Sequence, residues 1–189
     1  MSLEMSLEKE HKKWMKIALK YAKEALSNGE FPVGCILVAK DLGEIVAKGV
    51  RKNSANTILN EIDHAEIGAI RNWIEAGKKG KDVWAYVTLE PCLMCLGALI
   101  INGIKGICFA YEDIMGGATG IFFKEQNSFG SPVINKNEPI KDIYFSSNIE
   151  IIPWVLREES LKLFKEFFST SENIYLSDTL LAKYTLANK

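Results

Sequence analysis

The stretch TLEPCLMCLGALI, Thr88 to Ile100, places two cysteines three residues apart directly after an apolar run. Proline favours the first turn of a helix, so we expect Pro91 at position N1. Cys92 then lies in the first turn and Cys95 one turn later on the same face. Such a pair is typical of half a metal site, of a redox dithiol, or of two small core residues. The surrounding sequence has to distinguish these three interpretations.

Helical and strand-like patterns alternate on both sides of this stretch. A helix comes first, and a hairpin with its turn at residues 40–43 follows. Helices and strands then alternate along the chain. A glycine- and asparagine-rich loop over 116–148 precedes the last strand. The alternation predicts an α/β domain with helices on both sides of one sheet. The predicted helices cover residues 8–29, 64–77, 91–102 and 157–168 (with Leu161, Phe164 and Phe168 inward), and the predicted strands cover 31–39, 43–50, 82–89, 103–111 and 149–154.

Length and composition indicate one globular domain of 189 residues, 48% of them hydrophobic and 25% charged. We expect this domain over residues 7–189, with a core at 9–168 and a C-terminal extension at 169–189. The start MSLEMSLEKE nearly repeats itself, so we expect residues 1–6 to be a remnant of cloning. The chain has no run of 18 apolar residues and no signal-peptide core, which favours the cytoplasm and no membrane partner.

The overall charge is unlike that of a strongly basic nucleic-acid binder. Lysine and arginine number 23 against 24 acidic residues, and the pI is about 6.2. Nucleic-acid-binding domains are commonly basic. The run KKGK at 78–81 and the pair Arg51–Lys52 are able to meet phosphate, but they are more typical of a solvated surface. Charge therefore argues mildly against a nucleic-acid partner.

A second polar cluster lies at the start of the predicted helix 64–77. One interpretation is a capping box, with Asp63 as the N-cap, His64 at N1 and Glu66 three residues after the cap. Taken alone, the tripeptide His64–Ala65–Glu66 is a weak signal, and this structural interpretation is favoured.

Together the two clusters favour a metal site. Each opens a helix, and one strand lies between them, so both helix N-termini are expected at the carboxyl edge of the sheet, the usual place for a ligand. His64, Cys92 and Cys95 are then three zinc ligands with an open fourth position, which is typical of a catalytic site. The positive helix ends favour thiolates. This arrangement excludes the redox interpretation, and we assign Cys35 and Cys108, which lie within strand patterns, to the core.

A proton carrier is also needed, and Glu66 is the carboxylate placed for it. Zinc lowers the pKa of its bound water. A glutamate that lies beside the metal without binding it is free to accept and return that proton. The capping geometry is compatible with this role, because both keep the carboxylate near the helix end.

The combined pattern H-x-E…P-C-x-x-C resembles the signature of zinc nucleobase deaminases. The resemblance to the cytidine deaminase-like superfamily covers residues 9–168. It implies a three-layer α/β/α fold with a mixed five-stranded sheet. Within the superfamily, the chain is most similar to the tRNA adenosine deaminases and their free-base relatives. The segments that carry this likeness are FPVGCILV, HAEIGAIR, YVTLEPCLMCLGALI and GGATG, at residues 31–38, 64–71, 86–100 and 116–120.

The resemblance implies a role for each residue of the metal site. His64, Cys92 and Cys95 hold one catalytic zinc ion per chain. Glu66 moves protons from water to a ring nitrogen and to the departing ammonia.

The resemblance also implies substrate contacts. Asn53 lies eleven residues before the histidine ligand, where these enzymes keep an asparagine that binds the substrate. Val33, Ala65 and Glu90 are carried over as pocket-wall or backbone contacts.

The implied function is zinc-dependent hydrolytic deamination of a nucleobase, with adenosine to inosine in tRNA as the first hypothesis. The alternative is a free base or nucleoside such as guanine or cytosine, which the acidic pI and a long insert at 121–148 favour. A third hypothesis is a non-catalytic zinc-stabilised partner subunit, but such a subunit can lose its glutamate and this chain keeps Glu66. The resemblance further implies a homodimer. The insert and the extension 169–189 either shape the substrate mouth or form a solvated loop and a packed tail.

Overall fold

Five strands form one mixed sheet in the computed structural model, which describes residues 3–55, 60–120 and 149–188. The strands are β1 (Gly34–Ala39), β2 (Glu44–Val50), β3 (Val83–Leu89), β4 (Gly106–Tyr111) and β5 (Glu150–Ile152). β1 is antiparallel to both of its neighbours, whereas β3, β4 and β5 run parallel. The order across the sheet is β2–β1–β3–β4–β5, which confirms the mixed five-stranded sheet.

Helices cover both faces of this sheet, as the alternating pattern predicts. The first helix packs on one face, the next two pack on the other, and the last two follow β5 and pack against each other. Within the described ranges, no helix is long and apolar enough to cross a membrane. The helices are α1 (Leu3–Ser27), α2 (Ala65–Glu75), α3 (Leu93–Ile101), α4 (Arg157–Ser169) and α5 (Leu180–Ala187).

Side-chain alternation in the central strands explains the two layers. In β1, Ile36 and Val38 pack with α1, while Cys35 and Leu37 belong to the cluster that includes α2 and α3. Every residue of β1 is buried, as expected for a strand covered on both faces. The predicted core positions of Cys35 and Cys108 are confirmed, because both residues are fully buried.

Some element ends differ from the predicted ones. β5 has three residues instead of six, because Pro153 has no backbone N–H to donate to the ladder. The helix α1 begins at Leu3, so residues 3–6 continue the helix that we expected to begin later. The insert 121–148 lies outside the described residues.

The buried face of α4 also differs by one residue from the predicted face. Leu161 and Phe164 are buried as predicted, but Phe168 is only partly buried, and Phe167 takes the interior position. The spacing 164 to 167 keeps the same side of the helix toward the core.

Close packing of α2 on β2 depends on Gly49. A Cβ atom at this position would overlap the backbone of Ala65 and Ala69. The missing side chain lets the first turn of α2 lie directly against the strand, which sets the position of the adjacent His64.

Both relevant helices begin at the same edge of the sheet. β2 and β3 run in the same direction because each is antiparallel to the strand between them. The chain leaves the carboxyl end of β2 before α2, and the carboxyl end of β3 before α3. The expectation that both N-termini meet at the carboxyl edge is therefore confirmed.

The C-terminal extension folds back onto this edge. Arg157 donates to both carboxylate oxygens of Glu112, just after β4, with an Nε–Oε2 distance of 2.8 Å. Tyr184 donates to the same carboxylate at 2.8 Å, and the hydroxyl groups of Tyr111 and Thr185 are 3.1 Å apart. These contacts hold α5 beside the end of β4.

Candidate metal centre and substrate cavity

His64, Cys92 and Cys95 lie together at the carboxyl edge of the sheet. The His64 Nδ1 atom is 3.6 Å from Cys92 Sγ and 3.4 Å from Cys95 Sγ. The three ligand atoms lie within 4.8 Å of one another. In a tetrahedral zinc site with bonds of about 2.0 and 2.3 Å, nitrogen and sulfur ligands are about 3.6 Å apart. The three predicted ligands therefore match the spacing that zinc requires.

The helix starts explain this convergence. His64 is the N-cap of α2 and Cys92 is the N-cap of α3, both with extended backbone and without a side-chain cap bond. A hydrogen bond from Cys95 lowers the pKa of the Cys92 thiol to about 4. The same contact, together with burial, raises the pKa of Cys95. One thiolate is thus favoured already, and a bound cation favours the second.

The predicted capping box is wrong. The N-cap of α2 is His64 and not Asp63, and the His64 side chain makes no capping hydrogen bond. The Asp63 carboxylate instead accepts hydrogen bonds from the amides of Asn53 and Asn60, at 2.6 and 2.7 Å. This leaves Glu66 without a capping partner.

The predicted N1 position of Pro91 is also wrong. Pro91 precedes Cys92, the N-cap of α3, and its carbonyl accepts a hydrogen bond from the Ala118 amide at 3.0 Å. That bond ties the turn after β4 to the start of α3. Both cysteines therefore lie two helical positions earlier than expected, at the N-cap and at N3, and they still share one face.

Glu66 is a buried carboxylate with an unsatisfied oxygen. Only 3% of the residue is exposed, and burial raises its pKa to about 7. In the part of the chain that the structure describes, its Oε2 atom has no hydrogen-bond partner. Such an atom is costly unless a ligand satisfies it. A water molecule held beside the three ligands would do so, and the residues present therefore fit zinc with an open fourth position.

The donor set matches a catalytic zinc site. Among the described residues the cluster contains three protein ligands, whereas structural zinc sites normally have four. One imidazole and two thiols suit zinc. The second ring nitrogen of His64 lies 3.7 Å from the Glu61 carboxylate, the kind of outer partner that orients a metal-bound histidine.

A cavity of about 250 Å³ opens beside the metal ligands. Its walls combine apolar side chains with carboxylates and one arginine. Six of the eight predicted site residues line it, and Cys95 and Asn53 are the two that do not. The lining residues are Phe31, Val33, Arg51, Glu61, His64, Ala65, Glu66, Leu89, Glu90, Cys92, Asp113, Met115, Gly116, Tyr175, Leu176 and Leu181.

Two of the predicted contacts have defined partners. The Asn53 amide donates to Asp63, and its backbone is left-handed with φ 61°. The Glu90 carboxylate accepts hydrogen bonds from the backbone N–H groups of Asp113 and Thr119, at 3.3 and 3.1 Å. Glu90 therefore holds the turn 113–119 against the cavity.

Sequence reasoning named the extension 169–189 but none of the individual residues in the far wall of the cavity, and the expectation that Arg51 is solvated is wrong, because it is buried. Arg51 follows β2, and Tyr175, Leu176 and Leu181 come from the C-terminal extension. The Arg51 and Tyr175 side chains meet although they are 124 positions apart. No local pattern links them, and an apolar, aromatic tail was the only available signal.

A buried glutamate beside an open three-ligand metal cluster defines the class of protein, a metal-dependent hydrolase. Comparison with known proteins gives the family. The profile described as the cytidine and deoxycytidylate deaminase zinc-binding region matches residues 8–111. The chain belongs to this zinc deaminase family. Zinc is accordingly its cofactor, and His64, Cys92 and Cys95 are positioned to bind it.

Individual relatives are similar over most of the chain. The tRNA-specific adenosine deaminase of Buchnera aphidicola is 35% identical over 82% of this chain and 91% of its own length. The tRNA-specific adenosine deaminase subunit tad2 of Schizosaccharomyces pombe is 34% identical over 87% of this chain, but the match spans only 38% of that protein. A solved structure from work on A-to-I editing by tRNA:A34 deaminases is 27% identical, with a TM-score of 0.58, and covers 79% of this chain and 96% of its own.

Proposed function

We propose that this chain is a hydrolase that converts adenosine to inosine in tRNA. The observation that carries the proposal is the cluster of His64, Cys92 and Cys95 beside the unsatisfied carboxylate of Glu66. Relatives named as tRNA-specific adenosine deaminases support the choice of adenosine. The reaction consumes one water and releases one ammonia, and it needs no redox partner. Since this chemistry acts on tRNA, we place the chain in the cytoplasm.

In this mechanism Glu66 carries the protons. Zinc, when bound, acts as a Lewis acid that brings the pKa of a coordinated water toward neutrality. The Glu66 carboxylate accepts one proton as the water oxygen adds to C6 of the base, and it delivers that proton to the ring nitrogen. It then takes the second proton of the added water from the new C6 hydroxyl group and delivers it to the leaving amine. The C6–N bond then breaks and ammonia departs. A carboxylate whose pKa is raised by burial works well in both directions near pH 7.

The remaining site residues shape and position the substrate. Val33 and Ala65 form walls of the cavity, and Glu90 anchors the adjacent turn. We keep Asn53 as a substrate contact. Its side-chain amide donates to Asp63 in the structure, so a contact with the substrate requires a change of partner when the substrate binds.

A homodimer is part of the proposal, and α3 supports it. Residues 91–104 contain no aspartate, glutamate, lysine or arginine, and Leu93 and Ile101 are 66% and 60% exposed. An apolar helix face of this kind is normally covered by a partner. Sedimentation analysis of the purified chain measures whether it is a dimer.

A second candidate substrate is a free base or nucleoside. The observation that favours it is the C-terminal extension, because Tyr175, Leu176 and Leu181 add apolar and aromatic lining to the cavity. A small cavity with several carboxylates also suits a neutral heterocycle better than a phosphate-rich polymer.

Ammonia release from a substrate panel tests both candidates. The panel contains transcribed tRNA, adenosine, guanine, cytosine and cytidine, and the Glu66→Gln variant is the matched control. We expect release from tRNA by the wild-type chain and none by the variant. Release from a free base alone would replace tRNA by the second candidate, and release from no substrate would overturn the proposed function.

A further inference from the structure

Arg51 is buried in the cavity wall with part of its hydrogen-bonding capacity unused. The residue is 2% exposed. Its Nη2 atom donates to the Glu61 carboxylate at 3.0 Å and to the Tyr175 hydroxyl at 3.2 Å. Its Nε and Nη1 atoms are buried and have no hydrogen-bond partner among the described residues.

In the described part of the chain, the buried side-chain atoms without a hydrogen-bond partner all belong to residues that line the cavity. Within the described ranges, three buried side-chain atoms lack a partner, namely two nitrogens of Arg51 and one oxygen of Glu66. Both residues line the same cavity. A buried N–H group without an acceptor is strongly unfavourable. The Glu66 oxygen is accounted for by the reaction, and the Arg51 donors call for an acceptor in the same space.

We infer that Arg51 is a substrate-binding residue that donates hydrogen bonds to a neutral acceptor on the base, either a ring nitrogen or a carbonyl oxygen. Glu61 already balances the guanidinium charge. The cavity further contains the carboxylates of Glu66, Glu90 and Asp113. An anionic group such as a phosphate would meet this excess of negative charge, whereas a neutral acceptor would not. This inference rests on the proposed function and refines its substrate recognition.

The C-terminal extension positions this arginine. The Tyr175 hydroxyl donates to Glu61 at 2.9 Å while it accepts from Arg51, and the guanidinium lies over the Tyr175 ring at 5.4 Å. These contacts fix the plane of the guanidinium, which a flexible arginine would not keep alone. Tyr175 and Glu61 are therefore positioning residues for base recognition.

Deaza analogues test the contact directly. The rates of wild type and Arg51→Lys are compared on tRNA with adenosine, 7-deazaadenosine or 3-deazaadenosine at the reactive position. Each analogue replaces one ring-nitrogen acceptor by C–H. We expect wild type to react about 10- to 100-fold more slowly with one analogue, the range typical of a hydrogen bond from a charged donor. The ratio to compare is the rate with adenosine divided by the rate with that analogue. In Arg51→Lys, which lacks the Nε and Nη1 donors, this ratio should fall to near one.

Matched variants separate recognition from folding. Arg71→Lys changes an exposed arginine outside the cavity and should keep the wild-type ratio. Tyr175→Phe removes one hydroxyl group and should reduce the ratio in part. If Arg51→Lys fails to bind zinc, the ratio measured with Tyr175→Phe tests the inference instead. A ratio unchanged in Arg51→Lys and Tyr175→Phe would overturn the inference and leave the proposed function intact. If wild type deaminates only guanine, 7-deazaguanine replaces the adenosine analogues. A wild-type chain inactive on every substrate would overturn both proposals.

Discussion

The molecule contains two histidine–cysteine clusters, and only one of them is a metal centre. At the carboxyl edge, His64 Nδ1 lies 3.4–3.6 Å from two cysteine sulfurs. In the other layer, His11 Nδ1 lies 3.3 Å from Cys108 Sγ and 3.1 Å from the Tyr86 hydroxyl. The distances are alike, so proximity of histidine and cysteine does not by itself distinguish a site from a packed core.

The surroundings make the difference. The His64 cluster has a second thiol, two helix N-termini and a carboxylate oxygen without a partner beside a cavity. The His11 cluster has one thiol, and none of its buried side-chain atoms lacks a partner among the described residues. Burial lowers the pKa of His11, whereas the hydrogen bond that the His64 ring donates to the Cys92 thiolate raises the pKa of His64. A histidine–cysteine cluster that has unpaired polar atoms beside a cavity can bind a metal. A cluster whose buried polar atoms all have hydrogen-bond partners contributes to the packing of the core.

The largest expected effect comes from removing one cysteine in each cluster. Cys92→Ala should lose zinc and all measurable turnover, because two ligands do not hold the metal firmly. Cys108→Ala should keep one zinc per chain and full activity, at a cost of about 1–2 kcal/mol in the free energy of unfolding. Metal analysis, ammonia release and urea denaturation measure these quantities. Zinc loss in Cys108→Ala would show that the two clusters are not independent.

The next effect separates chemistry from metal binding within the His64 cluster. Glu66→Gln should retain zinc and lower kcat by about 10²–10⁴-fold, because the amide has nearly the same shape but carries no proton. Zinc content and single-turnover rates check this. A variant that keeps its rate per folded molecule would reduce Glu66 to a structural residue and remove the main contrast with the His11 cluster.

A smaller effect tests how far the functional region extends. Asn53→Ala should lower kcat/KM by about 1–3 kcal/mol of transition-state binding while zinc content stays close to wild type. Asn60→Ala is the matched control, because its amide donates to the same Asp63 carboxylate at 2.7 Å. Equal losses in both variants would assign Asn53 to the loop around Asp63 instead of the substrate.

The smallest expected effect is on the pH dependence of the free energy of unfolding, and it comes from the His11 cluster. Because the pKa of His11 is lowered by burial in the folded state, the unfolded chain binds the proton more readily. The free energy of unfolding should therefore fall as the pH drops below about 6.5, the usual histidine value. His11→Gln, which does not titrate, should flatten this slope. Urea midpoints at about pH 7.5 and about pH 5.5 measure it, and an unchanged slope would locate the acid sensitivity elsewhere.

Local sequence patterns were sufficient to predict most of the helices and strands. The 3.6-residue period of α1 and α2 and the apolar runs of β1 and β3 each correspond to elements in the structure. The ends were less certain, because they depend on single groups such as the missing N–H of Pro153. Periodicity carries no information on strand order. That β1 lies antiparallel between β2 and β3 was predictable only from the resemblance to a known fold.

The sequence by itself determined the metal centre of this protein. His64 and Glu66 are two residues apart, Cys92 and Cys95 three, and each pair starts a helix, so local geometry brings each pair to one helix end and the βαβ order brings the ends together. Only the tertiary structure decided the far wall of the cavity. Arg51 meets Tyr175 across 124 positions, and such a contact depends on how the C-terminal extension packs against the sheet edge. Packing between distant segments leaves no periodic trace in the sequence, so the residues that recognise the base emerge only when the chain is folded.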